Sequence, residues 1–205
     1  MKKDIEVEIR GPIEKEKIDQ LEDLFKKEGH FKKTKERILI DYSTFLPEEG
    51  IENRQKDIRL RVTNGIPEVI VKLGGWGGSE NRKEISVPTN KGEFDKLVQI
   101  FGAIGLKKGV LCIRKSQIYD YKEIEFALVE VPGHSYFYEA EKILNSDEDS
   151  DKAKKEIKTV CKELDLKIFT DKDYFSYIEK LNDEANEIFD FDEYKDNYFK
   201  KRFEL

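Results

Sequence analysis

Glu6, Glu8 and Arg10 stand two residues apart, and Ile5, Val7 and Ile9 fill the positions between them. Side chains two apart lie on one face of an extended strand, so this spacing predicts an ionic face backed by an apolar one. The alternation recurs along the chain. Arg59 and Arg61 oppose Ile58, Leu60 and Val62; Lys72 sits among Val69, Val71 and Leu73; Arg82 and Glu84 precede Ile85 and Val87; Arg114 follows Leu111 and Ile113; Glu139 and Glu141 close the series. Arginine is a planar fork that holds phosphate oxygens two at a time. Closely spaced glutamates are hard oxygen ligands for Mg²⁺ or Mn²⁺. Any one of these strands is the ordinary strand of an antiparallel sheet, with its charged face in water. A sheet curled so that the faces point inward would instead hold a basic cluster for a polyanion beside an acidic cluster for divalent cations.

The elements that must carry these side chains can be read from the same sequence. Short β-branched runs bounded by Gly, Pro and Asn turns predict strands over 4–10, 36–44, 57–64, 67–73, 82–88, 110–119, 121–131 and 136–141, enough for a barrel or a sandwich. Helical patterns interrupt at 13–28, stopped by Gly29, and at 91–101, capped by Asn90 with Glu93 three residues on. The polar, acidic stretch 145–151 divides this strand-rich part, residues 1–145, from a helical part, residues 146–205. In the latter, Ile157, Val160, Cys161 and Leu164 share one helical face, and 172–189 and 192–203 read as two further helices rich in Tyr and Phe.

Composition narrows the function classes. The 205 residues are 40% charged against about 25% in ordinary domains, yet the net charge is only −6, so no basic field invites nucleic acid. No apolar run approaches the roughly 18 residues that span a bilayer. Two glutamates stand where a signal peptide needs its apolar region, and the expected location is the cytoplasm. Cys112 and Cys161 read as reduced small hydrophobes.

Taken in order, the motifs resemble those of the CYTH family, the triphosphate tunnel metalloenzymes that include class IV adenylyl cyclases, thiamine triphosphatases and inorganic triphosphatases. The family's opening Glu-x-Glu-x-Lys resembles Glu6-Val7-Glu8-Ile9-Arg10, its Arg-x-Arg Arg59-Leu60-Arg61, its lysine strand Val69-Ile70-Val71-Lys72-Leu73, its Arg-x-Glu Arg82-Lys83-Glu84, and its closing turn, aromatic and Glu-x-Glu the segment from Val131 to Glu141. The resemblance covers most of residues 1–180. It implies an α+β fold, a closed antiparallel eight-stranded β-barrel with flanking helices and a C-terminal helical extension packed on the same domain.

It also implies roles. Arg10, Arg59, Arg61, Lys72, Arg82 and Arg114 would clamp a triphosphate; Glu6, Glu8, Glu139 and Glu141, with Glu84 and Glu125, would hold Mg²⁺ or Mn²⁺; Glu6, Glu8 and Arg10 would be catalytic. The implied activity is hydrolysis of tripolyphosphate, a nucleoside triphosphate or thiamine triphosphate. The alternatives are a class IV-type cyclase making cyclic AMP and pyrophosphate, and a non-catalytic polyphosphate-binding module. The chain departs from the pattern at Arg10, where the family has lysine; at Ser116, where a second basic residue is expected and Lys115 could substitute; and at Val129, where an aspartate is usual and Glu125 is the replacement candidate. His30 and His134 read as turn or surface residues. Trp76 sits in a Gly-rich loop where it could pack on a barrel rim or stack on a base. The C-terminal aromatics read as a helix face packed on the barrel or at a homodimer contact.

Overall fold

The computed structural model of the chain describes residues 5–46, 54–144 and 149–205. The first residue of the first expected strand, and 145–148 of the expected linker, lie outside the described residues. The elements run β1 (Ile5–Pro12), α1 (Lys15–Glu28), β2 (His30–Asp41), β3 (Lys56–Thr63), β4 (Ile66–Leu73), β5 (Ser79–Pro88), α2 (Phe94–Ala103), β6 (Lys108–Tyr121), β7 (Ile124–Val131), β8 (Ser135–Leu144), α3 (Ser150–Glu163), α4 (Asp171–Glu184), β9 (Glu187–Asp190) and α5 (Tyr198–Phe203). The strands pair antiparallel in the order β2-β3-β4-β5-β1-β8-β7-β6, and β6 pairs back onto β2, which closes the barrel. All eight expected strands are present. The β3–β4 turn uses Asn64 and Gly65, both at positive φ (49° and 80°), the backbone that a two-residue hairpin needs to match strand twist.

The barrel is apolar on its outside. Val7, Ile9, Phe126, Leu128 and Ala140 face outward beneath Ile18, Leu21 and Phe25 of α1 and Ile157, Val160 and Cys161 of α3. Ile40, Leu60 and Val62 pack against Phe94, Val98 and Phe101 of α2 and Phe199 of α5. Burying such side chains stabilises by roughly 1.5–3 kcal/mol each, and a one-residue slip would turn every one of them into the lumen. The apolar half of each strand therefore fixes the register, and the ionic half is left to face inward.

Three helical boundaries differ from those read from the sequence. α2 begins at Phe94 because Lys91-Gly92 forms a turn with Gly92 at φ 83°, although the Glu93 side chain does accept from the Asn90 N–H at 3.2 Å. The stretch 172–189 divides: the helix ends at Glu184, and Glu187–Asp190 becomes β9 on the free half of β6. Of 192–203, only Tyr198–Phe203 forms α5, whose start is held by Asp95, accepting from Phe199 N (3.2 Å) and Lys200 N (2.9 Å). Phe189, Phe191, Tyr194, Phe199 and Phe203 pack on the α2 side of the barrel.

The chain after α3 returns to β1 at close quarters. Phe169 N donates to Arg10 O at 2.9 Å, and a Cβ built at Gly11 would lie 1.9 Å from Lys167 O. Gly11→Ala should therefore force the two segments apart, at a cost of about 1–3 kcal/mol. Thermal unfolding followed by circular dichroism should show a midpoint lowered by about 3–10 °C; an unchanged midpoint would mean that this seam does not persist in solution.

Candidate functional site

The lumen begins with carboxylates. Register places Glu8 of β1 opposite Glu141 of β8 on one side and Glu80 of β5 on the other, with Arg10 opposite Glu139. Glu6, Glu8 and Glu141 each present a carboxylate oxygen, and these oxygens lie within 4.8 Å of one another. Burial raises the Glu8 pKa well above the usual carboxylate range, against the pull of Arg10 and with the push of Glu139 and Glu80. Burial, with Glu6, Glu125 and Glu139 as like-charged neighbours, raises Glu141 to about 7. A hard divalent cation suits this donor set: three close carboxylate oxygens, of which Glu6 and Glu8 each have one cationic side chain beside them and Glu141 has no ion pair among the described residues.

Above this trio the carboxylates and cations are matched. Arg10 is 4% exposed. Its Nη1 donates to Gly77 O (3.0 Å), Nη2 to Glu80 (2.8 Å) and Nε to Glu139 (3.4 Å); Nε also lies 2.6 Å from Glu8, and the guanidinium sits 5.0 Å from the Tyr174 ring centre. Arg82, 2% exposed, is held by Asp57 (2.6 Å) and Glu80 (2.6 Å). Burial alone would raise the Glu80 pKa, but Arg10 and Arg82 hold it down at about 2. Lys72 pairs with Glu6 and, at 3.2 Å, with Glu84. Glu125 is held by Lys32 (2.6 Å) and Lys35 (3.4 Å). Glu84, Glu125 and Glu139 are thus in the lumen but outside the close trio.

Beyond this layer lies a cavity of about 130 Å³, lined among others by Arg37, Arg59, Arg61, Arg114, Phe137 and Tyr177. Arg61 donates to Glu68 at 2.7 Å, and Arg59 is held by Asp57, with Asp41 at 3.8 Å. Arg114 spends its donors on Ile113 O (2.7 Å) and Asn186 Oδ1 (2.8 Å), neither of them an anion. Arg37 lies across the β2–β6 register from Arg114, and its buried Nε has no hydrogen-bond partner. Burial and the neighbouring Arg61 lower its pKa. One wall of the lumen is apolar, formed by Ile118, Ala127, Val129 and Phe137. α4 lies over this end: Tyr174, Tyr177, Ile178 and Leu181 line the cavity beside Trp76, whose ring packs 5.1 Å from Tyr174 and under Arg54 at 4.1 Å.

All of the site residues named from the sequence thus turn toward one lumen, in two groups. Glu6, Glu8, Arg10, Lys72, Arg82, Glu84, Glu125, Glu139 and Glu141 surround the acidic layer, and Arg59, Arg61 and Arg114 face the cavity, which Arg10 and Glu139 also line. Lys115 points outward, exposed and 3.6 Å from Glu36, so it does not replace the cation missing at Ser116. Lys35 and Arg37 of β2, opposite Ser116 and Arg114, bring the nearby positive charge instead. Arg37, Arg54, Asp57 and Glu80 were not singled out in the sequence. Alternation with Arg59 marks Asp57, and alternation along Lys35, Arg37, Leu39 and Asp41 marks Arg37.

No family model and no curated protein sequence matches the chain. Solved structures do. The PH1819 protein from Pyrococcus horikoshii OT3 superposes with a TM-score of 0.68 at 23% identity, over 87% of this chain and 99% of that one. A candidate adenylate cyclase from Vibrio parahaemolyticus gives 0.59 at 16% identity, over 79% and 89%. HpAC1 from Hippeastrum, a candidate adenylyl cyclase described as having a dominant triphosphatase activity, gives 0.55 at 14% identity, over 82% and 90%.

Proposed function

We propose that the chain, whose closed barrel superposes on these solved structures, is a divalent-metal-dependent triphosphatase that binds its substrate inside the barrel. The observation that carries this reading is the juxtaposition, in one lumen, of the Glu6, Glu8 and Glu141 trio with the arginines of the adjoining cavity. Arg37 and Arg114 have no carboxylate partner among the described residues, and an anion gives their guanidinium donors the charge-assisted bonds they lack. Arg59 and Arg61 add positive charge from β3. Glu6, Glu8 and Glu141 would hold an Mg²⁺ or Mn²⁺ ion, which would supply Lewis acidity toward phosphoryl oxygens and water. The chain's own part is to fix the polyphosphate against the arginines, to neutralise charge that develops on the departing phosphate, and to exclude bulk water by laying α4 over the mouth.

The dominant triphosphatase activity given for the Hippeastrum protein supports hydrolysis as the first reading. The apolar wall of Val129 and Phe137 supports a second, in which a nucleoside triphosphate enters and its 3′-hydroxyl attacks the α-phosphate to give cyclic nucleotide and pyrophosphate. One assay separates them. Protein incubated with Mg²⁺ or Mn²⁺ and tripolyphosphate, ATP, GTP or thiamine triphosphate should release orthophosphate, and excess EDTA should abolish release. Cyclic nucleotide with pyrophosphate would support the second reading; binding without turnover of any of the four would leave only a polyphosphate-binding module.

A further inference from the structure

A hydrogen-bond chain outside the clamp runs from the protein surface to the cavity. Glu184 Oε2, at the end of α4, lies 2.9 Å from His134 Nε2; His134 Nδ1 lies 2.7 Å from Ser135 Oγ; and Ser135 Oγ lies 2.8 Å from the Tyr177 hydroxyl. The outer end is open to water, since the Glu184 side chain is 53% exposed and that of His134 17%. The inner end is half-buried. Tyr177 lines the cavity with Arg114, and its ring is fixed between Phe169 (5.2 Å, stacked) and Phe137 (6.0 Å, edge-on). The sequence marks His134 only as a turn residue, and nothing in the triphosphate clamp uses it.

We propose that His134, Ser135 and Tyr177 form a relay in which protonation of His134 at the surface turns the Tyr177 hydroxyl into a hydrogen-bond donor for an anion in the cavity. The proposal rests on the polyphosphate reading of that cavity. With His134 neutral, Nε2–H donates to Glu184, Nδ1 accepts from Ser135 O–H, and Ser135 Oγ accepts from Tyr177 O–H. The phenol proton is then spent within the chain, and only oxygen lone pairs face the cavity. When Nδ1 takes one proton from solvent, it donates to Ser135 Oγ, the Ser135 proton turns to the Tyr177 oxygen, and the Tyr177 O–H is released toward the cavity. No covalent bond changes other than the new N–H, and the added charge stays on the imidazolium beside Glu184.

The charged surroundings favour this direction. Glu184 faces His134 from α4, with Lys180 3.8 Å beyond that carboxylate, and Ser135 is its neighbour on β8. At the inner end, Arg114 of β6 bears on Tyr177, while Phe137 and Phe169 contribute no charge. A phosphate oxygen beside Arg114 would accept from Tyr177 only after the relay has reversed.

Tripolyphosphate binding is to be measured by calorimetry in EDTA at two pH values, one on either side of the His134 protonation step as read from its own imidazole NMR signals. Comparing each variant with the wild type at the same pH removes the ligand's own ionisation. Tyr177→Phe should weaken binding about tenfold at the lower pH, the value of one hydrogen bond to a charged group, and by less than about twofold at the higher. His134→Gln should reproduce that pattern, and the double variant should lose nothing further. Equal losses at both pH values would overturn the relay. A second readout needs no ligand: in ¹³Cζ-tyrosine NMR the Tyr177 signal should follow the His134 titration and become insensitive to it in His134→Gln. A Tyr177 signal indifferent to His134 also overturns the relay, whatever binds. Coupled NMR signals in a protein that binds no tripolyphosphate would overturn the polyphosphate reading, and with it the relay's assignment to an anion, while leaving the hydrogen-bond chain itself intact.

Discussion

Glu141→Gln should stop turnover and stabilise the metal-free protein at the same time. The amide keeps the shape of the side chain but weakens the three-oxygen donor set of Glu6, Glu8 and Glu141. Removing a ligand of a polarising cation forfeits several kcal/mol of transition-state stabilisation, so turnover with Mg²⁺ or Mn²⁺ should fall about a thousandfold. Stability moves the other way because the carboxyl pKa is raised, to about 7, from roughly 4.3 in the unfolded chain. Between those values the folded state binds more protons than the unfolded state, so this group lowers stability progressively as pH rises and does so fully above about 7. Discounted for partial solvent access, its removal should contribute about 1–3 kcal/mol at pH 8, or roughly 2–10 °C in unfolding midpoint, and little at pH 5. Mn²⁺ should raise the midpoint of the wild type by relieving the same repulsion, and the variant should lose most of that shift. Scanning calorimetry at the two pH values, with and without Mn²⁺, checks each part; a variant that is no more stable at pH 8 than at pH 5, relative to wild type, would remove the repulsion from the account.

The ionic face of the barrel was legible wherever a strand alternates cleanly. Glu6, Glu8 and Arg10, or Arg59 and Arg61, are separated by aliphatic residues that could only be buried, and the structure buries them beneath α1, α3 and α2. What alternation cannot give is partnership. Arg10 and Arg59 look alike in the sequence, yet β1 lies between two strands that bring Glu80 and Glu139 to Arg10, whereas Arg59 is held by Asp57 of its own strand, with Asp41 of β2 at 3.8 Å, and both guanidinium groups line the cavity. Glu80 was hidden because β5 starts at Ser79, directly after a Gly-rich loop that reads as loop throughout. Arg54 precedes β3, so no period marks it, and only the tertiary approach of Trp76, Asp41 and Asp57 gives it a place. β9 was lost to the helix before it because four residues carry too little period to compete with fourteen.

That difference in partnership decides what Arg10→Lys should do. Lysine would restore the residue usual in the CYTH pattern, and on the sequence alone it could supply a proton-handling group that arginine cannot. In the folded protein, however, the guanidinium is a strut. It spans Gly77 O, Glu80 and Glu139, lies against Glu8, and packs over Tyr174. An ammonium gathers its donors at one point and cannot span those partners, though it keeps the charge that Glu8, Glu80 and Glu139 require. The loss is therefore smaller than the roughly 3–5 kcal/mol of removing a buried charge outright, at about 1–3 kcal/mol, and the unfolding midpoint should drop by about 2–10 °C. Turnover should fall by less than about tenfold, through loosening of Glu8 within the proposed metal-holding trio, and the pH profile of kcat should keep its shape. A gain in turnover with a new alkaline limb would instead assign position 10 to proton transfer, and the strut would then be only the resting arrangement of a group that acts on substrate.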